Sequence, residues 1–173
     1  MTTLAHLLLP LLLPLLVALG PPGGGEQTPV PAGEGVWPLA PRPAVVNGFD
    51  PPAVRWSAGH RGVDLLGRTG QTVRSSLAGR VTFAGPLAGR GVVVVDHGGV
   101  RTTYEPVSAR VEVGQRVTAG AALGELQGAS SHCLPRACLH WGLVRDETYL
   151  NPLVLVGAGP IRLLPFESPS AGT

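Results

Sequence analysis

Gly91-Val92-Val93-Val94-Val95-Asp96-His97-Gly98 carries the strongest secondary-structure signal in the chain. Four successive valines leave no polar face, which suits a strand buried on both sides and ending in a glycine turn. Short runs of the same kind extend outward from it. Upstream lie VDLLG, QTVRSSL and GRVTFAG; downstream come VRTTYEPV, RVEVG, QRVTAG, ALGELQG, ACLHWGLV and LVLV. Val, Thr, Tyr and Phe dominate these runs, glycines punctuate them, and none carries a helical apolar stripe of useful length. Arg110-Val111-Glu112-Val113 alternates, as a half-exposed strand should. An all-β domain of two packed or partly closed sheets follows, with little or no helix outside the apolar N-terminal segment.

The 173 residues leave room for one ordinary domain with appendages. Residues 4–19 form an apolar run broken by Pro10 and Pro14, too short and too proline-rich for a membrane-spanning helix. A secretory signal peptide over residues 1–20 fits better, although no basic residue precedes the core. The expected product is therefore secreted to the cell wall, with no membrane span after cleavage. Residues 21–36 are rich in Pro and Gly and read as a disordered linker. Trp37-Pro38-Leu39 should pack onto the domain, which is expected to run from 37 to 156 and to leave a flexible tail at 157–173. The net charge of +2 is too small to argue for nucleic acid or an acidic membrane surface.

Chemistry concentrates in two distant places, His60-Arg61-Gly62-Val63-Asp64 and Cys138-Leu139-His140-Trp141-Gly142. Together they offer two imidazoles and a carboxylate, a set suited to a zinc ion with one open position. The arrangement resembles the lysostaphin-type (LytM) zinc endopeptidases, which cut peptide crosslinks in bacterial peptidoglycan. That family carries H-x-x-x-D early in its domain and H-x-H near the end. The similarity extends over GHRGVDLLGRTGQTVRSSLAGRVTFAGPLAGRGVVVVDHGG, VEVGQRVTAGAALGELQG and CLHWGLVRDETYLNPL, hence over nearly the whole domain. It implies packed antiparallel sheets, Zn2+ as cofactor, and His60, Asp64 and His140 as its ligands. His97 and Asp96 read as structural, since the family often has Asp-His-Gly there without using it as a ligand.

The resemblance also exposes two departures. Cys138 stands where the family has the first histidine of H-x-H, and Pro106 stands where a Tyr-x-His segment has its histidine. Proline has no side-chain donor or acceptor to take over that role. Three neighbours could compensate: Glu105, Tyr104 and His132. His132 is the favoured base, because a loop can aim it and an imidazole exchanges protons near neutral pH. Cys133 and Cys138 read first as a disulfide in a secreted protein. Zinc ligation by one or both thiolates with His140 stays open as the rival reading. The middle segment also looks like a biotinyl or lipoyl carrier, but a carrier needs a lysine and all thirteen basic residues here are arginine.

Two functions fit. The first is a secreted zinc metalloendopeptidase acting on peptidoglycan. The second is a catalytically degenerate domain that binds peptidoglycan or activates a partner cell-wall hydrolase.

Overall fold

A computed structural model describes residues 29–54 and 56–159. The segment read as a signal peptide and most of the C-terminal tail lie outside the described residues. Eleven strands carry the described chain: β1 (Val45–Asn47), β2 (Val63–Gly67), β3 (Thr72–Arg74), β4 (Gly79–Leu87), β5 (Arg90–Asp96) and β6 (Arg101–Glu105), followed by β7 (Val107–Ala109), β8 (Arg116–Val117), β9 (Ala122–Leu126), β10 (Ala137–Arg145) and β11 (Thr148–Leu150). A single 3-10 helix, Pro152–Val156, follows them.

All pairings are antiparallel and fall into two sheets. The larger runs β1-β2-β10-β6-β5-β4-β8, with β11 added along β10; the smaller runs β3-β9-β7. Neither closes on itself, so the architecture is an open pair of sheets and not a barrel. β5 lies inside the larger sheet, and Val92, Val93 and Val95 are buried while Val94 is half-buried.

Strand alternation divides β10 into two jobs. Leu139, Trp141 and Leu143 are fully buried and enter the core with Val63 and Leu65 of β2 and Tyr104 of β6. Val73, Leu123, Leu126 and Val107 of the smaller sheet complete that core. Cys138 and His140 face the other way.

Three places differ from the sequence reading. Arg110–Val113 is not a strand: Gln115 N–H bonds the Glu112 carbonyl at 3.1 Å, and Gly114 takes a left-handed φ of 91°. This turn folds the alternating segment so that Val111 is buried and Val113 is exposed. Residues 33–36, read as linker, are tied down by backbone bonds from Gly33 to Val154, Gly35 to Leu155 and Val36 to Ser76. Gly157, read as the start of a tail, caps the 3-10 helix in a left-handed conformation. Trp37-Pro38-Leu39 packs as expected, with Leu39 fully buried and Trp37 6.3 Å from the Trp141 ring. Burying one leucine contributes about 1.5–3 kcal/mol, enough to anchor a short segment.

Candidate metal centre

Register builds the site before any loop is considered. Asn47 pairs with Asp64, Asp64 with His140, and His140 with Glu105. Directly opposed residues share a face, so four polar side chains form one row across β1, β2, β10 and β6. The opposite face of these strands carries the core, so the row looks away from it.

His60 enters from the segment before β2. Its backbone is pinned by reciprocal hydrogen bonds with Asp50, at 2.6 and 3.0 Å. Gly62 then lets the chain pass against β10: a Cβ there would lie 2.5 Å from the Trp141 carbonyl and 2.7 Å from His140 Nε2. The intervening residue must therefore be glycine for His60 to fold back over Asp64.

The result is a triangle of donors. His140 Nδ1 lies 2.9 Å from Asp64 Oδ1, His60 Nε2 lies 3.1 Å from His140 Nδ1, and His60 Nε2 lies 3.2 Å from Asp64 Oδ1. Metal bonds of about 2.0–2.2 Å at the tetrahedral angle place donors roughly 3.3–3.5 Å apart, so the triangle fits zinc with small adjustments. Outward atoms are held as well. His60 Nδ1 donates to the Gly48 carbonyl at 2.5 Å, which leaves its Nε2 lone pair facing the triangle. Asn47 Nδ2 donates to Asp64 Oδ2 at 3.4 Å. Burial pushes the Asp64 carboxyl up, but the His140 hydrogen bond and the fields of His60, His140 and His132 outweigh it. The group is held below the ordinary aspartate value and is a ready anionic donor.

His132 stands beside this triangle, with Nδ1 3.4 Å from Asp64 Oδ1. Its loop is closed by the Cys133–Cys138 disulfide, so neither sulfur is a thiolate donor. Buried Ser131 adds a clamp, its Oγ accepting from Cys133 N at 3.1 Å and Cys138 N at 2.7 Å.

The other two compensating residues separate. Tyr104 is fully buried on the core face, where its hydroxyl accepts from Ser76 N at 2.8 Å and bonds Thr102 at 2.9 Å. It cannot reach an oxyanion at the metal. Glu105 lies on the metal face, opposite His140, and pairs with Arg90 at 3.0 Å. Arg90 had no signal in the sequence beyond its place in a Gly-Arg-Gly turn. Asn47-Gly48, which orients two of the donors, reads in sequence as nothing more than a turn. His97 donates to the Ala78 carbonyl and bonds Thr102, both at 2.8 Å, and so belongs to the hydrogen-bonded interior.

A depression of about 330 Å³ opens in front of the donors, lined also by Arg61, Arg90, Glu105 and Tyr149. Arg61 lies over the Tyr149 ring at 5.7 Å. Both continue into a neighbouring groove of about 860 Å³ that includes the exposed Trp56.

Fold and donor cluster together define a metallopeptidase-like domain. Residues 58–152, more than half of the chain, match the model of peptidase family M23, and the chain belongs to that family. Its members are generally zinc metallopeptidases. An uncharacterized protein of Mycobacterium tuberculosis is 50% identical over 137 residues, covering 76% of this chain and 55% of the relative. The chain thus spans about half the length of that relative. Lysostaphin from Staphylococcus simulans has a similar fold, with a TM-score of 0.59 and 23% identity over 75% of this chain and 57% of lysostaphin. A zinc containing peptidase from Vibrio cholerae gives a TM-score of 0.55 and 22% identity, over 66% of this chain and 37% of that one. Among the described residues no helix is long and apolar enough to cross a membrane.

Proposed function

We propose that this chain is a secreted zinc metalloendopeptidase-like protein that hydrolyses peptide bonds in bacterial peptidoglycan. The observation that carries the reading is the donor triangle of His60, Asp64 and His140, with edges of 2.9, 3.1 and 3.2 Å. Three side chains would hold zinc and leave its fourth position for chemistry. Bound zinc supplies a Lewis acid and a water acidified toward a pKa of about 7. The remaining work belongs to the chain itself. His132 takes the proton of the attacking water and returns it to the leaving amine. Arg90, anchored through Nε on Glu105, offers its other guanidinium nitrogens to a substrate carbonyl or carboxylate. Arg61, Tyr149 and Trp56 give an extended polymer a path to the donors.

A second reading has its own support. Cys138 is engaged in a disulfide and Pro106 offers no proton-transferring group, so both positions expected to carry histidine are chemically silent. A catalytically degenerate domain that binds peptidoglycan or activates a partner hydrolase would look the same at those positions.

The test is incubation of the zinc-loaded chain, once with the Cys133–Cys138 link intact and once with it reduced and alkylated, with purified peptidoglycan, followed by mass spectrometry of released peptides, beside His140→Ala. Zinc-dependent peptides absent from the variant support the peptidase. No release at stoichiometric zinc in either state moves the chain to the binding or activating class.

A further inference from the structure

His132 is not merely near the donor triangle. One donor atom from each of His60, Asp64, His132 and His140 can be chosen so that all four lie within 4.8 Å of one another. The His132 ring is 5.1 Å from that of His140 and 6.4 Å from that of His60, tilted against both. Exposure separates the four. The Asp64 side chain is 3% exposed, His140 12% and His60 15%, while His132 is 39% exposed. His132 therefore covers the solvent side of a cluster whose other three members form its floor.

The backbone on either side of His132 is fixed. Ser131 precedes it and clamps both Cys133 N and Cys138 N; Cys133 follows it and is bonded covalently to Cys138. Cys138 lies in β10, two residues from His140 and on the same face. The disulfide thus ties the residue after His132 to the strand that presents His140. An exposed loop histidine without that tie would sample many rotamers and positions, and the ordering entropy would weigh against any one of them.

Resting on the reading that His60, Asp64 and His140 hold the metal, we propose that His132 is a fourth donor delivered by the Cys133–Cys138 link, so that the thiol–disulfide state of this loop sets whether the centre is closed by four side chains or open on three. A dithiol reductant would open it: the S–S bond breaks, two electrons and two protons pass to the cysteines, and the dithiol becomes a disulfide. A four-donor site is the closed, structural kind, whereas a three-donor site keeps a position for water. His132 is a donor while the link holds it and a proton carrier once it leaves the metal.

The experiment compares zinc affinity, by chelator competition, and the visible spectrum of the Co2+-loaded protein, using the full chain. Four proteins enter: oxidised wild type, His132→Ala, the Cys133→Ser/Cys138→Ser double variant, and the triple combination. A fifth sample, reduced and alkylated wild type freed of reductant, checks that the serines act through the link. His132→Ala and the double variant should each lower zinc affinity about tenfold to a hundredfold, the size of effect seen when a metal site loses a supporting partner. Both should change the cobalt spectrum in the same way. The triple variant should fall no further than His132→Ala, because the link acts only through that imidazole. Unchanged affinity and spectrum in His132→Ala overturn the fourth donor while leaving the triangle intact. Equal losses from breaking the link with and without His132 reduce the disulfide to a general brace and overturn the switch. Failure of the oxidised wild type to bind either metal overturns the three-donor reading and this proposal with it.

Discussion

Gly62→Ala puts a single methyl group at the point where the chain crosses β10. That Cβ would lie 2.5 Å from the Trp141 carbonyl oxygen, 2.7 Å from His140 Nε2 and 2.9 Å from His140 Cε1. Ordinary contacts lie at about 3.5 Å or more, so the neighbours must retreat by roughly an ångström. The carbonyl belongs to backbone paired with Val63, and it cannot yield without opening the β2–β10 ladder. The imidazole can yield, but its Nδ1 is the atom lying 2.9 Å from Asp64 Oδ1. Overpacking of this kind costs about 1–3 kcal/mol. For a domain of this size that is a fall in melting temperature of roughly 3–15 °C. Zinc affinity should fall more than tenfold besides, since the displaced ring carries a donor. Chelator competition and thermal melts with and without zinc read the two effects separately. Gly85→Ala is the control, because nothing lies within 4 Å of its Cβ position. Zinc affinity in Gly62→Ala within twofold of wild type would refute the argument that this glycine makes room for the ligand.

Asn47→Ala should leave the fold intact and lower zinc affinity about tenfold, because Asp64 Oδ2 loses the donor that turns Oδ1 inward; chelator competition measures it. His97 supplies a pH dependence of stability unrelated to the metal. Burial holds its imidazole below the ordinary value, against the opposing pull of the Ala78 carbonyl and Asp96. The unfolded chain then binds more protons than the folded one, so stability rises with pH through this window. The contribution is complete above the unfolded value of about 6.5 and is lost as pH falls through the depressed folded value. In thermal melts of the metal-free protein, the advantage of wild type over His97→Gln should be largest at pH 7–8 and should shrink toward pH 5. An advantage that grows on acidification would contradict this sign.

His97 also ends a buried hydrogen-bonded chain that sequence could only hint at. Thr102 Oγ1 donates to the Tyr104 hydroxyl, which also accepts from Ser76 N, and His97 Nε2 meets Thr102 at 2.8 Å at the outer end of the chain. Tyr104 looked available for catalysis because nothing local says which face of β6 meets the core. That choice is made by pairing with β5 and β10, which are far away in sequence. The same long-range pairing places Glu105 beside His140. The β-rich character was legible throughout, because valine runs and glycine turns are local signals. The convergence of His60, Asp64 and His140 was legible because their spacing matches a known pattern. His132 was legible as a loop histidine near them, but its fixed position also depends on the Ser131 clamp, whose geometry leaves no periodic trace. The Arg110–Val113 alternation misled for the opposite reason: a local turn overrode a local pattern.

The row from Asn47 to Glu105 has a consequence for folding. His60 and His140 are separated by 80 positions, and Asp64 and His140 by 76. No two-stranded intermediate formed early along the chain can hold all three donors. A slip of β10 by one residue would also send His140 into the core and Trp141 out to the metal face. Tight metal capture is therefore reserved for chains whose tenth strand has docked in the correct register. An ion present at a thousandfold excess over its dissociation constant would add about 4 kcal/mol to that arrangement and nothing to its misregistered competitors. A metal bound at the donor row would thus proofread the sheet that builds its site.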